Sequence, residues 1–264
     1  MRVVSLNAWG GALYEPLAAW LPTVGADVLC LQEVTRTPTV SGWTTFRDAD
    51  RVLPQRADLF DDVSALLPRH VATYTASDAG PVSTDDGVVH RQEFGLAMVV
   101  ADTVHVLART ASFVHGTYQE HDDWGVAGRP RVAQGARLAV PGLERAVTVV
   151  QLHGLRDPAG KGDTPARRRQ AERLVEVVAG LREEGDLVVV CGDLNLLPDS
   201  ETFRMLAGIG LTDLVGTADT RSSHYTKPVR HAGYLLVSDR EAVRGFEVVT
   251  HPEVSDHRPL VLDL

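Results

Sequence analysis

The chain has 264 residues, 44% hydrophobic and 23% charged, so it is long enough to bury a sizeable core and has an ordinary soluble composition. Its 35 acidic and 26 basic residues leave a formal net charge of -9, which gives no general attraction to a nucleic-acid backbone; a small phosphorylated molecule suffers less from that field. No apolar stretch approaches the length of a membrane span, and Met1-Arg2-Val3-Val4-Ser5-Leu6 enters a strand pattern without the apolar core of an export signal. A cytoplasmic protein with no membrane partner is expected, and Cys30 and Cys191, each inside an apolar run, are read as free buried thiols.

In chain order, Val3 to Leu6 forms a short strand ending in Asn7. Leu17, Trp20, Leu21 and Val24 recur at helical spacing within 15–24, and a second strand from Ala26 to Leu31 finishes on Gln32-Glu33. Residues 55–68 read as a helix through Phe60, Val63, Leu66 and Leu67. Short strands follow at 88–90, 95–100 and 104–108, joined by turns in the antiparallel manner. The stretch 112–135 has little periodicity and reads as a loop system whose His115, Trp124, Arg129 and Arg131 are candidate substrate contacts. A strand over 146–151 delivers His153, and Thr164-Pro165 opens a helix whose stripe is Leu174, Val177, Val178 and Leu181. The run Arg167-Arg168-Arg169 reads as the solvated side of that helix. A strand at 187–190 leads into Gly192-Asp193-Leu194-Asn195, a helix after Pro198 buries Phe203 and Leu206, and strands at 234–237, 246–249 and 259–262 complete the chain, the last preceded by Asp256-His257. No repeat or domain-scale linker interrupts it, so residues 1–264 are expected to form one domain mixing helices and strands.

Five strand-like segments thus end in groups that are costly to bury: Asn7, Glu33, His153, Asp193 with Asn195, and Asp256 with His257. Each has an ordinary explanation: Asn7 as a turn residue, Glu33 as a helix cap, His153 as a satisfied core histidine, Asp193 and Asn195 as an Asx turn. Together they point to one shared site, and carboxylate with amide oxygen suits a hard cation such as Mg²⁺, or Mn²⁺, that takes the rest of its shell from water and phosphate. No cysteine cluster supports a structural zinc site.

The segments Leu6-Asn7-Ala8-Trp9, Leu31-Gln32-Glu33, Leu152-His153-Gly154, Gly192-Asp193-Leu194-Asn195 and Ser255-Asp256-His257-Arg258-Pro259-Leu260 resemble, in order and interval, the endonuclease/exonuclease/phosphatase superfamily. This is the fold of deoxyribonuclease I and the apurinic endonucleases. The resemblance covers essentially the whole chain and implies an α+β, four-layer α/β sandwich with two central mixed β-sheets flanked by helices. It implies Glu33 as principal metal ligand, with Asn7 beside the metal and Asp256 binding or steering it. Asp193 would orient or deprotonate the attacking water and Asn195 would donate to a phosphoryl oxygen. His257 would contact the phosphate opposite the leaving group, and His153 would bind phosphate or protonate the leaving group.

One position departs from the pattern. Family members usually carry an aspartate that holds the imidazole of the terminal Asp-His motif, and Arg230-His231-Ala232-Gly233-Tyr234 has Gly233 in its place. His224 and His231 are candidate newcomers to that neighbourhood, with Arg230 a further substrate contact. The loop after His153 adds Arg156 and Lys161, which could cradle an anion at a helix amino terminus. The expected function is a magnesium-dependent phosphodiesterase or phosphatase acting on a small metabolite or nucleotide. The alternatives are a DNA or RNA nuclease or 3′-end repair enzyme, and a fold member that has lost hydrolysis and binds a ligand or catalyses another reaction.

Overall fold

The computed structural model describes residues 1–48, 51–125 and 128–264. The strands are β1 (Arg2–Asn7), β2 (Val28–Arg36), β3 (Trp43–Arg47), β4 (Val52–Arg56), β5 (His70–Ser83), β6 (Val89–Ala101), β7 (His105–His115) and β8 (Gln119–Glu120), then β9 (Arg131–Ala139), β10 (Val147–His153), β11 (Leu187–Asp193), β12 (Thr212–Asp213), β13 (Gly233–Val237), β14 (Gly245–Val248) and β15 (Leu260–Asp263). The helices are α1 (Tyr14–Trp20), α2 (Leu59–Leu66), α3 (Pro165–Leu181) and α4 (Glu201–Ala207). One mixed sheet runs β14-β15-β1-β2-β6-β5-β3-β4 with β8 beside β5, and the other runs β12-β13-β11-β10-β9-β7.

The layering follows from alternation along strands buried on both faces. Val3, Val28 and Cys30 point toward the second sheet and pack with Val149 and Cys191, while Val4, Leu6, Leu29 and Leu31 point the other way onto Leu17 of α1 and Leu59 and Val63 of α2. On the far face of the second sheet lie Leu174, Val178 and Leu181 of α3 and Leu206 of α4. Helices, sheet, sheet, helices is the four-layer sandwich anticipated from the sequence. Cys30 and Cys191 are free and buried, and the contact with Cys191 together with burial keeps the Cys30 thiol well above its usual range.

Three sequence expectations need correction. The stretch 112–135 is strand at both ends, since β7 extends to His115 and β9 begins at Arg131, and only its middle, β8 apart, is loop, with positions 126 and 127 outside the described residues. The helix expected over 55–68 is confined to α2, because 52–56 pair with β3 and Asp58 caps the helix by accepting from the Asp61 N–H at 2.9 Å. The strands expected at 88–90 and 95–100 are one continuous strand, β6, paired along its length with the long strand β5.

Two parallel pairs set the site. β1 runs beside β2 with Asn7 opposite Gln32, and β10 runs beside β11 with His153 opposite Asp193, so both pairs deliver polar carboxyl-terminal ends. A buried amide chain ties the sheets together there: Gln32 Nε2 donates to Gln151 Oε1 at 2.9 Å, and Gln151 Nε2 to Gln134 Oε1 at 3.0 Å.

Candidate active site

The backbone that presents these side chains is bent into uncommon conformations. Glu33 lies in the left-handed region at φ 52°, within the register shift between Leu31 and Val34 where β2 bulges away from β6. Asn195 sits at φ 55°, and its N–H donates to Asp193 Oδ1 at 3.1 Å, so the Asx turn is present as part of the site. Gly192 has φ 139°, and a Cβ there would lie 2.0 Å from the carbonyl oxygen of Leu152, so only glycine lets β11 lie this close to β10.

The seven polar strand-end residues converge. Glu33, His153 and Asp193 each offer one ligand atom, all within 4.8 Å of one another, the cluster that could hold a cation among the described residues. His153 Nε2 is 3.7 Å from both Glu33 Oε1 and Asp193 Oδ2, and it is buried without a hydrogen-bond partner. A buried ring nitrogen aimed between two carboxylates without a partner fits a divalent cation, which would satisfy all three groups.

Asn7 orients this cluster. Its Nδ2 donates to Asp193 Oδ2 at 2.9 Å and its Oδ1 accepts the Trp9 N–H at 3.0 Å, which leaves a second lone pair of the amide oxygen for a cation. On the other side of Asp193, His257 Nε2 lies 3.3 Å from Oδ2, and the ring is only 4% exposed. Asp256 was expected to serve the metal, but its Oδ2 accepts from Arg221 Nη1 at 2.7 Å, a buried ion pair outside the three-residue cluster.

Burial governs the protonation states. It pushes the imidazoles down, His153 to about 4 and His257 to about 3, with Arg131 acting on the first and Arg221 on the second in the same direction. Burial opposes ionisation of Glu33, yet His153, the Asn7 amide and His257 outweigh it and hold the carboxyl at about 2. Asp193 is likewise held well below the usual range against the effect of burial by His257, His153, Arg221 and Lys161. Asp256 behaves oppositely: burial raises it to about 7, Arg221 limiting the rise and Glu33 and Asp193 adding to it. Neutral imidazoles beside ionised carboxylates are the states a metal ion requires of its ligands.

The expected substrate contacts fall into two groups. Arg129, Arg131 and Arg156 line a cleft that shares Glu33 and His153 with the cluster. Lys161 donates to the His231 carbonyl and feels Asp193, and burial lowers its ammonium to about 8. The others serve the scaffold. Trp124 is 3% exposed, packs on Phe46, Phe94 and His121, and donates to the Pro81 carbonyl at 2.6 Å, because an indole this size fills the gap under its loop. Arg230 binds Asp219 Oδ2 at 2.6 Å and the carbonyls of Arg221, Ser222 and Tyr225, which consumes its donors. His115 faces Arg131 across β7 and β9, away from the cleft lining. His224 lies 3.6 Å from Glu253 on the surface, and His231 Nδ1 faces the Ala218 carbonyl at 3.3 Å.

The side chain beside Asp256-His257 is therefore Arg221, which sequence reasoning missed, and Arg221 and His257 also form an isolated antiparallel bridge. Arg167 was likewise misread as solvated. It is 1% exposed and donates through Nη2 to the carbonyls of Leu155 at 3.1 Å and Asn195 at 3.2 Å, bracing the loop after His153 against the Asn195 turn. At Gly233 the nearest atom to an added Cβ is Leu260 Cδ1 at 3.6 Å, so the missing side chain is not excluded by space.

The profile of the Endonuclease/Exonuclease/phosphatase family matches residues 4–257. No curated protein matches the chain by sequence. Among solved structures, a mannosyl-6-phosphatase of Bacteroides thetaiotaomicron is similar at TM-score 0.67 and 15% identity, covering 100% of this chain and 98% of that one. The human Nocturnin catalytic domain with bound sulfate is similar at TM-score 0.64 and 20% identity, covering 99% and 92%. D. rerio TDP2 complexed with single strand DNA product is similar at TM-score 0.62 and 15% identity, covering 99% and 97%. At these identities the likeness establishes the fold. Among the described residues no helix is long and apolar enough to cross a membrane.

Proposed function

The chain belongs to the endonuclease/exonuclease/phosphatase family, and we propose that it is a magnesium-dependent hydrolase of a phosphate ester on a small metabolite or nucleotide. The observation that carries this reading is the meeting of Glu33, His153 and Asp193 ligand atoms within 4.8 Å, with the His153 ring nitrogen buried and unpartnered. Glu33, Asp193 and His153 would hold the cation, which supplies charge neutralisation on the phosphoryl oxygens when bound.

The chain's own residues do the rest. Asn195, fixed by its turn onto Asp193 and by Arg167 on its carbonyl, presents its amide to a phosphoryl oxygen. Water attacks phosphorus in line with the departing ester oxygen; the new P–O bond forms as the ester P–O bond breaks, and the water proton passes to the Asp193–His257 pair. His257, neutral at working pH, has its Nε2 3.3 Å from Asp193 Oδ2, so the pair would share that proton. Arg221, paired with Asp256 beside His257, would compensate that carboxylate and hold the Asp256-His257 segment in place. Lys161, close enough to Asp193 to feel its charge, would protonate or neutralise the leaving oxygen, its pKa of about 8 lying near working pH. The net charge of -9 favours a small substrate over a duplex.

The test is a panel of phosphomonoesters and phosphodiesters with magnesium, manganese or EDTA. Magnesium-stimulated turnover is expected, with Glu33→Gln lowering kcat/KM by about 1,000-fold or more, corresponding to about 4 kcal/mol of lost transition-state stabilisation. No turnover on any ester with either metal would end the proposal.

A further inference from the structure

Next to the cluster is a cleft that shares Glu33 and His153 with it and is lined by four arginines, Arg51, Arg129, Arg131 and Arg156. Two of these cations are already neutralised. Arg129 makes paired bonds to Asp78 at 2.6 and 3.0 Å, and Arg51 binds Asp48 at 2.5 Å. The other two are not: among the described residues no carboxylate forms an ion pair with Arg131 or Arg156. Arg131 is only 4% exposed and its Nε is buried with no partner. A buried guanidinium with an empty donor is costly to keep, and its fork suits an oxyanion.

From these observations we propose that the cleft is a second anion subsite, in which Arg131 and Arg156 bind a phosphate group carried by the same small substrate whose ester is cleaved at the adjoining cluster. The inference rests on the hydrolase reading and names its substrate class: a compact molecule with two phosphates. The two sites share Glu33 and His153 as walls, so an occupant of one end abuts the other and a single ligand spans both. Phe46 and Phe94 on the cleft wall give the intervening skeleton an apolar surface to lie on. The arginines already paired with Asp48 and Asp78 shape that wall and leave the two free cations as the discriminating charges.

Calorimetry with Ca²⁺ charge-compensating the cluster tests this by binding rather than by turnover, using adenosine 3′,5′-bisphosphate against AMP and fructose 1,6-bisphosphate against fructose 6-phosphate. At least one bisphosphate is expected to bind about 10- to 100-fold more tightly than its monophosphate, the range of a lost charge-assisted arginine pair. Arg156→Gln, at a half-buried position, should remove most of that preference with melting temperature unchanged, and Arg131→Gln should do the same if it remains folded. Equal affinities within both pairs, or an Arg156→Gln variant that weakens monophosphate and bisphosphate alike, would overturn the subsite. A bisphosphate preference that depends on Arg156 in a protein that hydrolyses no ester would instead uphold the subsite and remove the hydrolase reading.

Discussion

The two buried imidazoles should leave a signature in the pH dependence of folding, separable from catalysis. In the metal-free protein burial, joined by nearby arginines, lowers His153 to about 4 and His257 to about 3 from an ordinary 6.5. The unfolded chain therefore binds more protons than the native state between about pH 4 and 6.5, and stability contributed by these rings falls as pH drops through that window. One pKa unit is worth about 1.4 kcal/mol, and an unfolded histidine is mostly protonated between pH 6 and 5, so each ring should cost about 1.2 kcal/mol of stability over that step. Asp256, raised to about 7 chiefly by burial, acts with opposite sign: its stabilising proton is held at pH 5 and given up as pH rises through 7.

Urea unfolding in EDTA at pH 5 and pH 6 reads these contributions as differences between variants, in which other titrating groups cancel. The increase in stability from pH 5 to 6 should shrink by about 1.2 kcal/mol in His257→Gln and again in His153→Gln/His257→Gln. The double variant then retains the Asp256 contribution without the opposing imidazoles. A His257→Gln protein whose pH increment equals that of the parent would refute the assignment of a buried neutral ring.

Arg221→Met strands the Asp256 carboxylate, whose Oδ2 accepts from Arg221 Nη1 at 2.7 Å, and should lower stability by about 3–5 kcal/mol in urea unfolding at pH 8, with partial recovery when Asp256→Asn is added. Arg167→Met removes the donors to the Leu155 and Asn195 carbonyls; a loss of about 3 kcal/mol by thermal unfolding is expected, with kcat lowered more than KM because Asn195 loses its brace. Gly233→Asp should fold with a stability change within about 1 kcal/mol, since the nearest atom to the new Cβ is 3.6 Å away, and a collapse of its melting temperature would show that the glycine is required sterically.

The parts legible in sequence were those fixed by local pattern. The β-branched run into Cys191-Gly192-Asp193, the Thr164 cap with Pro165, and apolar strands ending in Asn7, Glu33 and His153 each announce an element and its polar terminus. β9 was illegible because Gln134 and Gly135 look like turn formers. In the structure Gln134 accepts from Gln151 across the sheet, and Gly135 is small because a Cβ there would meet Leu181 of α3 at 2.8 Å. Arg167 was readable in principle: it shares the buried stripe of Ala171, Leu174 and Val178 at intervals of about four, seven and eleven, and its charge masked its place on that face. Arg221 had no such signal. It follows a polar segment without periodicity, and only the topology brings it 2.7 Å from Asp256.

The electrostatics of the cleft explain how an acidic protein can recruit an anion. The overall charge of -9 is a long-range property that salt screens within about 10 Å, whereas Arg131 and Arg156 act at contact distance in a partly enclosed cleft. At the cluster the imidazoles are neutral, so Glu33 and Asp193 leave a local negative charge that a divalent cation would neutralise. Arg221 is already committed to Asp256, so further attraction for a ligand must come from Lys161 and from the unpaired arginines. An added anion can therefore be stabilised at one end only when the metal ligands are charge-compensated, while the other end is cationic from the outset. On the proposed subsite, this division makes the second phosphate the anchor and the scissile ester the group that engages last.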